Sequence, residues 1–195
     1  MNKLEGFFEL KKISVPTVEW KLYREGDMLS KDMLWTVRTA VTFGDDFNLP
    51  RLVGAPGDEA ERFAQSAAKQ IGEDGMVVYY PFFVAEASGT VRASLTETVI
   101  ECVKGDLWNL VTHGDVGYGV VFGGGSKREY GTPLLSTDDV FLIQANAERL
   151  KKTYREALAL GKSVYAEWSF DFNAGADGKP IGERFLVFYE LRIVD

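Results

Sequence analysis

Two stretches of this sequence carry a clear helical period, and most of the rest reads as strands that arrive in pairs. From Asp58 to Ile71 the apolar residues Ala60, Phe63, Ala64, Ala67 and Ile71 recur at steps of three and four. That spacing marks one face of a helix, and Asp58 and Glu59 sit where its dipole favours acids. The second helix has sharper ends. Ser136 or Thr137 can cap it, Asp138 and Asp139 open it, and Gly161 closes it after Lys151, Lys152 and Arg155. Its buried stripe is expected to be Ile143, Ala147, Leu150, Tyr154 and Leu158.

Strands are predicted around these helices. Leu34 to Val41 ends at the turn Gly44-Asp45-Asp46, and Met76 to Val84 reads as one apolar strand. Ser88 to Ser94 and Thr98 to Lys104 form a hairpin through Leu95-Thr96-Glu97. Gly117 to Phe122 leads into Gly123-Gly124-Gly125, and two long strands, Ser163 to Phe172 and Arg184 to Val194, flank the turn Ala176 to Pro180. Paired strands broken by two main helices predict an α+β chain with mixed or antiparallel sheets, not a doubly wound one. Its 195 residues suit a single domain, with a division into halves 1–95 and 96–195 as the alternative.

Composition limits the partners. The net charge is -7, and Lys and Arg occur at most as pairs such as Lys127-Arg128, so a polyanionic nucleic acid is excluded while a local anion site is not. No apolar run approaches the ~20 residues of a membrane helix, and Met1 to Gly6 has no leader pattern. Cys102 is the single cysteine, so no internal disulfide forms; with its strand-like surroundings it reads as a small buried hydrophobe, and the cytoplasm is the expected compartment.

Few residues suggest chemistry. His113 is flanked by turn residues, and no G-x-S-x-G elbow accompanies it. One His and one Cys exclude a zinc centre. Gly123-Gly124-Gly125-Ser126-Lys127-Arg128 lacks the phosphate-loop spacing, which favours a flexible loop or a wide hairpin turn. The two terminal strands are more informative. Period-two counting places Glu167, Ser169 and Asp171 on one face, and Glu190 and Arg192 on one face of the other strand. If those faces coincide, hard oxygen donors suited to Mg²⁺ meet a guanidinium suited to phosphate. The alternative is an exposed sheet face with cross-strand ion pairs.

The order of these landmarks resembles the ATP-binding, ATP-grasp-type domain of the pyruvate phosphate dikinase and phosphoenolpyruvate synthase family. Trp35-Thr36-Val37-Arg38-Thr39-Ala40 resembles that family's V-R-S-S-A strand, and Val77 to Val84 followed by Ser88-Gly89-Thr90-Val91 resembles its V-Q-x-M-V strand and S-G-V. Thr98 to Gly105 and Leu110 to Gly114 resemble the next strand and the G-L-G-E-x-V-V-x-G segment. Leu135 to Tyr154, then Ala166-Glu167-Trp168, then Phe188 to Arg192 resemble its helix, D-I-E-W strand and Q-x-R strand. There are departures: Val78 or Tyr79 replaces the strand glutamine, Glu190 replaces that of Q-x-R, and Gly105-Asp106-Leu107-Trp108 replaces G-L-G-E.

The resemblance implies an ATP-grasp-like domain in which Arg38 and Arg192 contact phosphate, Glu167 and Glu190 hold magnesium, and Glu101 assists nucleotide binding. ATP and Mg²⁺ are the implied cofactors, and an ATP-dependent phosphotransferase or a subunit of one is the implied activity. The family's glycine-rich segment with its phosphate lysine is not found before Leu34. The family's phosphohistidine domain and pyruvate-binding barrel are not found in this sequence either, so a protein partner is expected to supply the phosphohistidine or acceptor domain. Two alternatives stand beside this reading: a relative that has lost turnover and serves as a regulatory or interaction protein, and a small-molecule module built on aromatics such as Trp20, Trp35, Tyr79, Tyr80, Phe82 and Phe83.

Overall fold

Two antiparallel sheets face each other across an apolar seam. A computed structural model describes residues 3–42, 49–107, 110, 114 and 116–195. Helix α1 (Lys3–Lys12) leads to β1 (Lys21–Leu22), β2 (Leu34–Val41), β3 (Arg51–Pro56), α2 (Gly57–Ile71), a single 3₁₀ turn and β4 (Gly75–Pro81). These strands form the smaller sheet, in the order β1-β4-β2-β3. The larger sheet runs β10-β9-β5-β6-β7-β8. Its members are β5 (Phe83–Ala93), β6 (Glu97–Lys104), β7 (Tyr118–Gly123), β8 (Ser126–Gly131), β9 (Ser163–Ala174) and β10 (Pro180–Val194). Between β8 and β9 lie α3 (Thr137–Thr153) and α4 (Arg155–Ala159). No helix among the described residues is long and apolar enough to cross a membrane.

Each sheet has one helix-covered face, and the sequence alternation assigns it. Val37 and Val77 pack under α2 with Ala60, Ala64 and Ala67. Ala40, Val78 and Tyr80, on the opposite face of the same strands, meet Val187 of the larger sheet together with Phe7 of α1. The far face of the larger sheet buries Trp168, Phe170, Phe188 and Leu191 against Ile143, Ala147 and Leu150 of α3. Ser136 caps α3 in a reciprocal box with Asp139.

Besides β1 and β3, which no expected strand covers, and the break at Tyr154 that divides the expected second helix into α3 and α4, four features differ from the sequence expectation. The apolar run Met76 to Val84 is not one strand: β4 ends at Pro81, which has no N–H to continue a ladder, and the chain passes through Phe82 into the other sheet. Of the flexible loop or wide hairpin turn expected for the glycine run, the structure shows a hairpin turn, but a tight one, Gly124 and Gly125 taking φ of 58° and 75° between β7 and β8. Strand β8 escaped notice because all six of its residues are exposed, so no alternation marks it. Helix α1 is a further helix beyond the two expected; its glycine, Gly6, lies where a Cβ would strike the Leu191 carbonyl of β10. The Gly44-Asp45-Asp46 turn lies outside the described residues.

Gly89 of β5 pairs with Cys102 and Trp168, and a Cβ there would run into the Trp168 ring and the Glu101 carbonyl. Gly89→Ala should therefore cost about 2 kcal/mol or more, measured as a lower denaturant midpoint. An unchanged midpoint would contradict this close approach.

Candidate functional site

The site is built where the two sheets meet, and it starts from β2. Alternation there turns Trp35 and Val37 toward α2 and leaves Thr36, Arg38 and Ala40 facing the larger sheet. Arg38 is 13% exposed, its guanidinium lies 5.6 Å from the Phe7 ring, and its Nη2 stands 3.4 Å from Glu190 Oε2. From the same strand as Glu190, the Arg192 Nε donates to Glu190 Oε1 at 2.7 Å. Glu190, only 7% exposed, is thus gripped by one arginine from each sheet.

A β-bulge puts Glu190 there. Phe188 pairs with Trp168 and Glu190 pairs with Glu167, so Tyr189 is an extra residue on β10. Strict alternation from Phe188 would send Glu190 into the core under α3. The extra residue inverts the phase: Leu191 takes the core position and Glu190 joins Glu167 on the face toward the smaller sheet. Two carboxylates at a direct cross-strand position repel, and the arginines offset that repulsion. Burial works against the charge on Arg38, but Tyr80, Glu190, Glu167 and Tyr189 outweigh it and raise its pKa. Tyr189 and Tyr165 are pushed the other way from ionisation, first by burial and then by Glu167, so both remain neutral phenols.

Glu101 stands apart from this cluster. Thr90 pairs with Glu167 on one side and Glu101 on the other, a separation of two strand spacings, or about 10 Å. Its Oε1 accepts from the Tyr130 hydroxyl at 2.7 Å, and Tyr130 reaches it by lying across Gly119, where a Cβ would collide with the ring. The glycine turn and Lys127-Arg128 are on the edge hairpin, where both bases pair with glutamates. Cys102 is fully buried, with its thiol pushed up to about 12 by burial, so it acts as a small core residue. His113 lies outside the described residues.

Beside Arg38 a cavity of about 340 Å³ opens between the sheets. Tyr80, Phe82, Phe83 and Tyr189 give it an aromatic wall, Arg38 and Arg51 a cationic margin, and Ser88 and Ser169 a polar floor. Behind Ser169, Asp171 is completely buried; its Oδ2 accepts the Ser169 hydroxyl at 2.6 Å while Oδ1 has no partner. Sequence reasoning placed Asp171 on the right face, as a candidate third carboxylate beside Glu167 and Glu190; the structure instead pairs it with Ser169, opposite Phe185 and away from Glu190. Sequence reasoning missed Phe7 and Tyr189, although Leu4, Phe7 and Leu10 already trace a helical face in α1.

Among the described residues no group of three or more His, Cys, Asp or Glu is placed to hold a metal ion. Glu167 and Glu190 alone fit a cation of one habit, Mg²⁺, which is usually held by one or two carboxylates while phosphates and water complete its shell.

Comparison of the sequence with protein-family models and with curated proteins gives no match. Among solved structures, the D-alanine-D-alanine ligase of Helicobacter pylori superposes with a TM-score of 0.56 over 97% of this chain, at 11% identity. The fold is ATP-grasp-like. This chain spans half the length of that ligase chain, covering 50% of it. The macrocyclase MdnC of Microcystis aeruginosa MRC, solved with precursor peptide MdnA, aligns over 80% of this chain and 39% of its own at a TM-score of 0.35 and 8% identity, too low to carry an argument. The likeness extends to the ATP-grasp-like fold and not to the pyruvate phosphate dikinase family specifically.

The Asp171 carboxyl is raised by burial to about 7 from 3.8, with Ser169 opposing. Between those values the folded chain holds more proton than the unfolded one, so stability falls as pH rises from about 4 to about 7. Asp171→Asn should remove this slope, making the variant more stable at pH 8 by an amount on the order of 4 kcal/mol and equal to the parent near pH 4. Denaturant titrations across pH check this; parallel pH profiles would contradict it.

Proposed function

We propose that the chain binds Mg-ATP in the cleft between its sheets, with the base against the aromatic wall and the phosphates at Arg38 and Arg192. The supporting observation is the contact from Arg38 to Glu190, which sets a guanidinium of one sheet beside the Glu167–Glu190 pair of the other; Arg38 itself lines a ligand-sized cavity, and Glu167, Glu190 and Arg192 stand behind it, outside the lining. On this reading both sheets act as one bilobed domain, since each contributes half of the site. The order of the motifs further supports a relationship to the nucleotide-binding domain of the pyruvate phosphate dikinase and phosphoenolpyruvate synthase family.

The chemistry follows from the residue types. A guanidinium is a planar fork that takes phosphate through two N–H groups, and neither Arg38 nor Arg192 can lose its charge at physiological pH. An arriving phosphate can exchange for a Glu190 oxygen on either arginine, and the carboxylate so released can turn to a cation. Bound magnesium would neutralise phosphate charge. The arginines stabilise negative charge that grows on a transferred phosphoryl group, in a site from which the aromatic wall excludes water. Glu101, held by Tyr130 two strands away, would act only at the outer edge of this site. The phosphoryl acceptor would come from a partner protein, and a lone buried thiol suits the cytoplasm.

A second reading keeps the nucleotide and drops the transfer. No lysine is among the described residues that line the cavity, which favours a regulatory relative that binds without turnover. Calorimetry with a nonhydrolysable ATP analogue tests the shared claim: binding should require Mg²⁺ and weaken more than tenfold in Glu167→Ala and in Arg192→Ala. Binding that ignores both magnesium and these substitutions would refute the site. Phosphate release or transfer to an added acceptor protein then separates the enzyme from its regulatory relative.

A further inference from the structure

Asp171 is a buried acid that the arginine–glutamate cluster does not use. It is completely buried, its Oδ2 accepts the Ser169 hydroxyl, and its Oδ1 has no partner. The groups around it supply no compensating charge. Its cross-strand partners are Ala85 of β5 and Phe185 of β10. Tyr80 of β4 and Tyr189 of β10 are neutral phenols, kept so first by burial, with the field of Asp171 adding to it. Glu167 is four residues and about 13 Å away along β9. Arg38 is engaged with Glu190, and Arg51 stands at the cavity margin, where its field falls on Tyr80. Arg184 lies over the Phe170 ring on the α3 side of the sheet, held by Asp139 and Glu86. Asp106, which also lines the cavity, is a further acid. Burial dominates and raises the Asp171 pKa to about 7, with Ser169 opposing, so this acid titrates near neutral pH.

Ser169 joins Asp171 to the cavity floor beside its cross-strand partner Ser88, the two being 1% and 2% exposed. A cavity of about 340 Å³ with hydroxyls in its floor is roomy and polar enough for water. Such water is the nearest hydration that an ionised Asp171 can draw on. A base laid on the aromatic wall displaces it, and the phosphates bring more negative charge into the seam. Both changes penalise the carboxylate and spare the neutral acid. We propose that nucleotide binding in this cleft is coupled to protonation of Asp171, so that the site takes up a proton from the buffer as it fills and loosens its hold as pH rises. This rests on the nucleotide reading of the cleft. The coupling is reciprocal: the proton favours the nucleotide by the factor by which the nucleotide favours the proton. It does not depend on which polar atom of the base meets Ser88 or Ser169, because it arises from excluded water and added charge.

Calorimetry at pH 8 with excess magnesium, using a nonhydrolysable ATP analogue in two buffers of different ionisation enthalpy, reads the protons exchanged per nucleotide. The parent chain should take up at least about half a proton, and its affinity should fall about tenfold from pH 6.5 to pH 8.5. Magnesium tripolyphosphate reaches the arginines without covering the floor, and should take up less than about half as much. Asp171→Asn should bind the analogue with no proton uptake, and at an affinity level to within about twofold over the same pH range. The first two measurements need no variant to fold. Nucleotide binding by the parent without proton uptake overturns this inference and leaves the nucleotide site standing. Uptake as large with tripolyphosphate, or uptake that persists in Asp171→Asn, does the same. If no nucleotide binds, the nucleotide reading of the cleft fails and this inference with it.

Discussion

Everything proposed for this chain depends on Glu190 being held from two sides, by Arg38 of the smaller sheet and Arg192 of its own strand. A carboxylate this deeply buried is costly unless paired, and its direct cross-strand partner is another carboxylate, Glu167. The arginines make the arrangement tolerable, and the same arginines make it useful. A guanidinium satisfied by a carboxylate can be satisfied equally well by a phosphate oxygen. The contact therefore joins the two sheets in the absence of ligand and supplies exchangeable charge when one arrives.

The backbone features around this contact serve its placement. Pro81 ends β4 and Phe82 carries the chain into the second sheet, so β4 and β5 lie on opposite sides of the seam and the cavity opens beside their junction. The bulge at Tyr189 turns Glu190 out of the α3-covered core. Helix α1 packs on β10 through Gly6 and sets Phe7 beside Arg38, closing one side of the guanidinium against water. Lower solvent access strengthens the attraction between Arg38 and its acidic neighbours.

Much of this was legible in the sequence, where a pattern of burial existed to be read. The faces of α2 and α3 showed in their three-and-four spacing, and the partnership of β9 and β10 in the turn Ala176 to Pro180. Period two placed Glu167 with Asp171, and Glu190 with Arg192. It could not say that the two faces coincide, because the bulge at Tyr189 decides that and leaves no signature in alternation. Strand β8 was silent because none of its residues is buried. The break at Phe82 was masked by an apolar run on both sides, although Pro81 was visible within it. The Ser169–Asp171 bond depends on depth, which a pattern of faces does not give.

A crystal structure of the chain with magnesium and a nonhydrolysable ATP analogue bears most directly on the central claim. The account predicts phosphate oxygens within hydrogen-bonding distance of both Arg38 and Arg192, with the Arg38–Glu190 contact exchanged or shared and the base against Tyr80 and Phe83. A nucleotide seated away from the seam, with Arg38 and Arg192 still closed on Glu190, would contradict it.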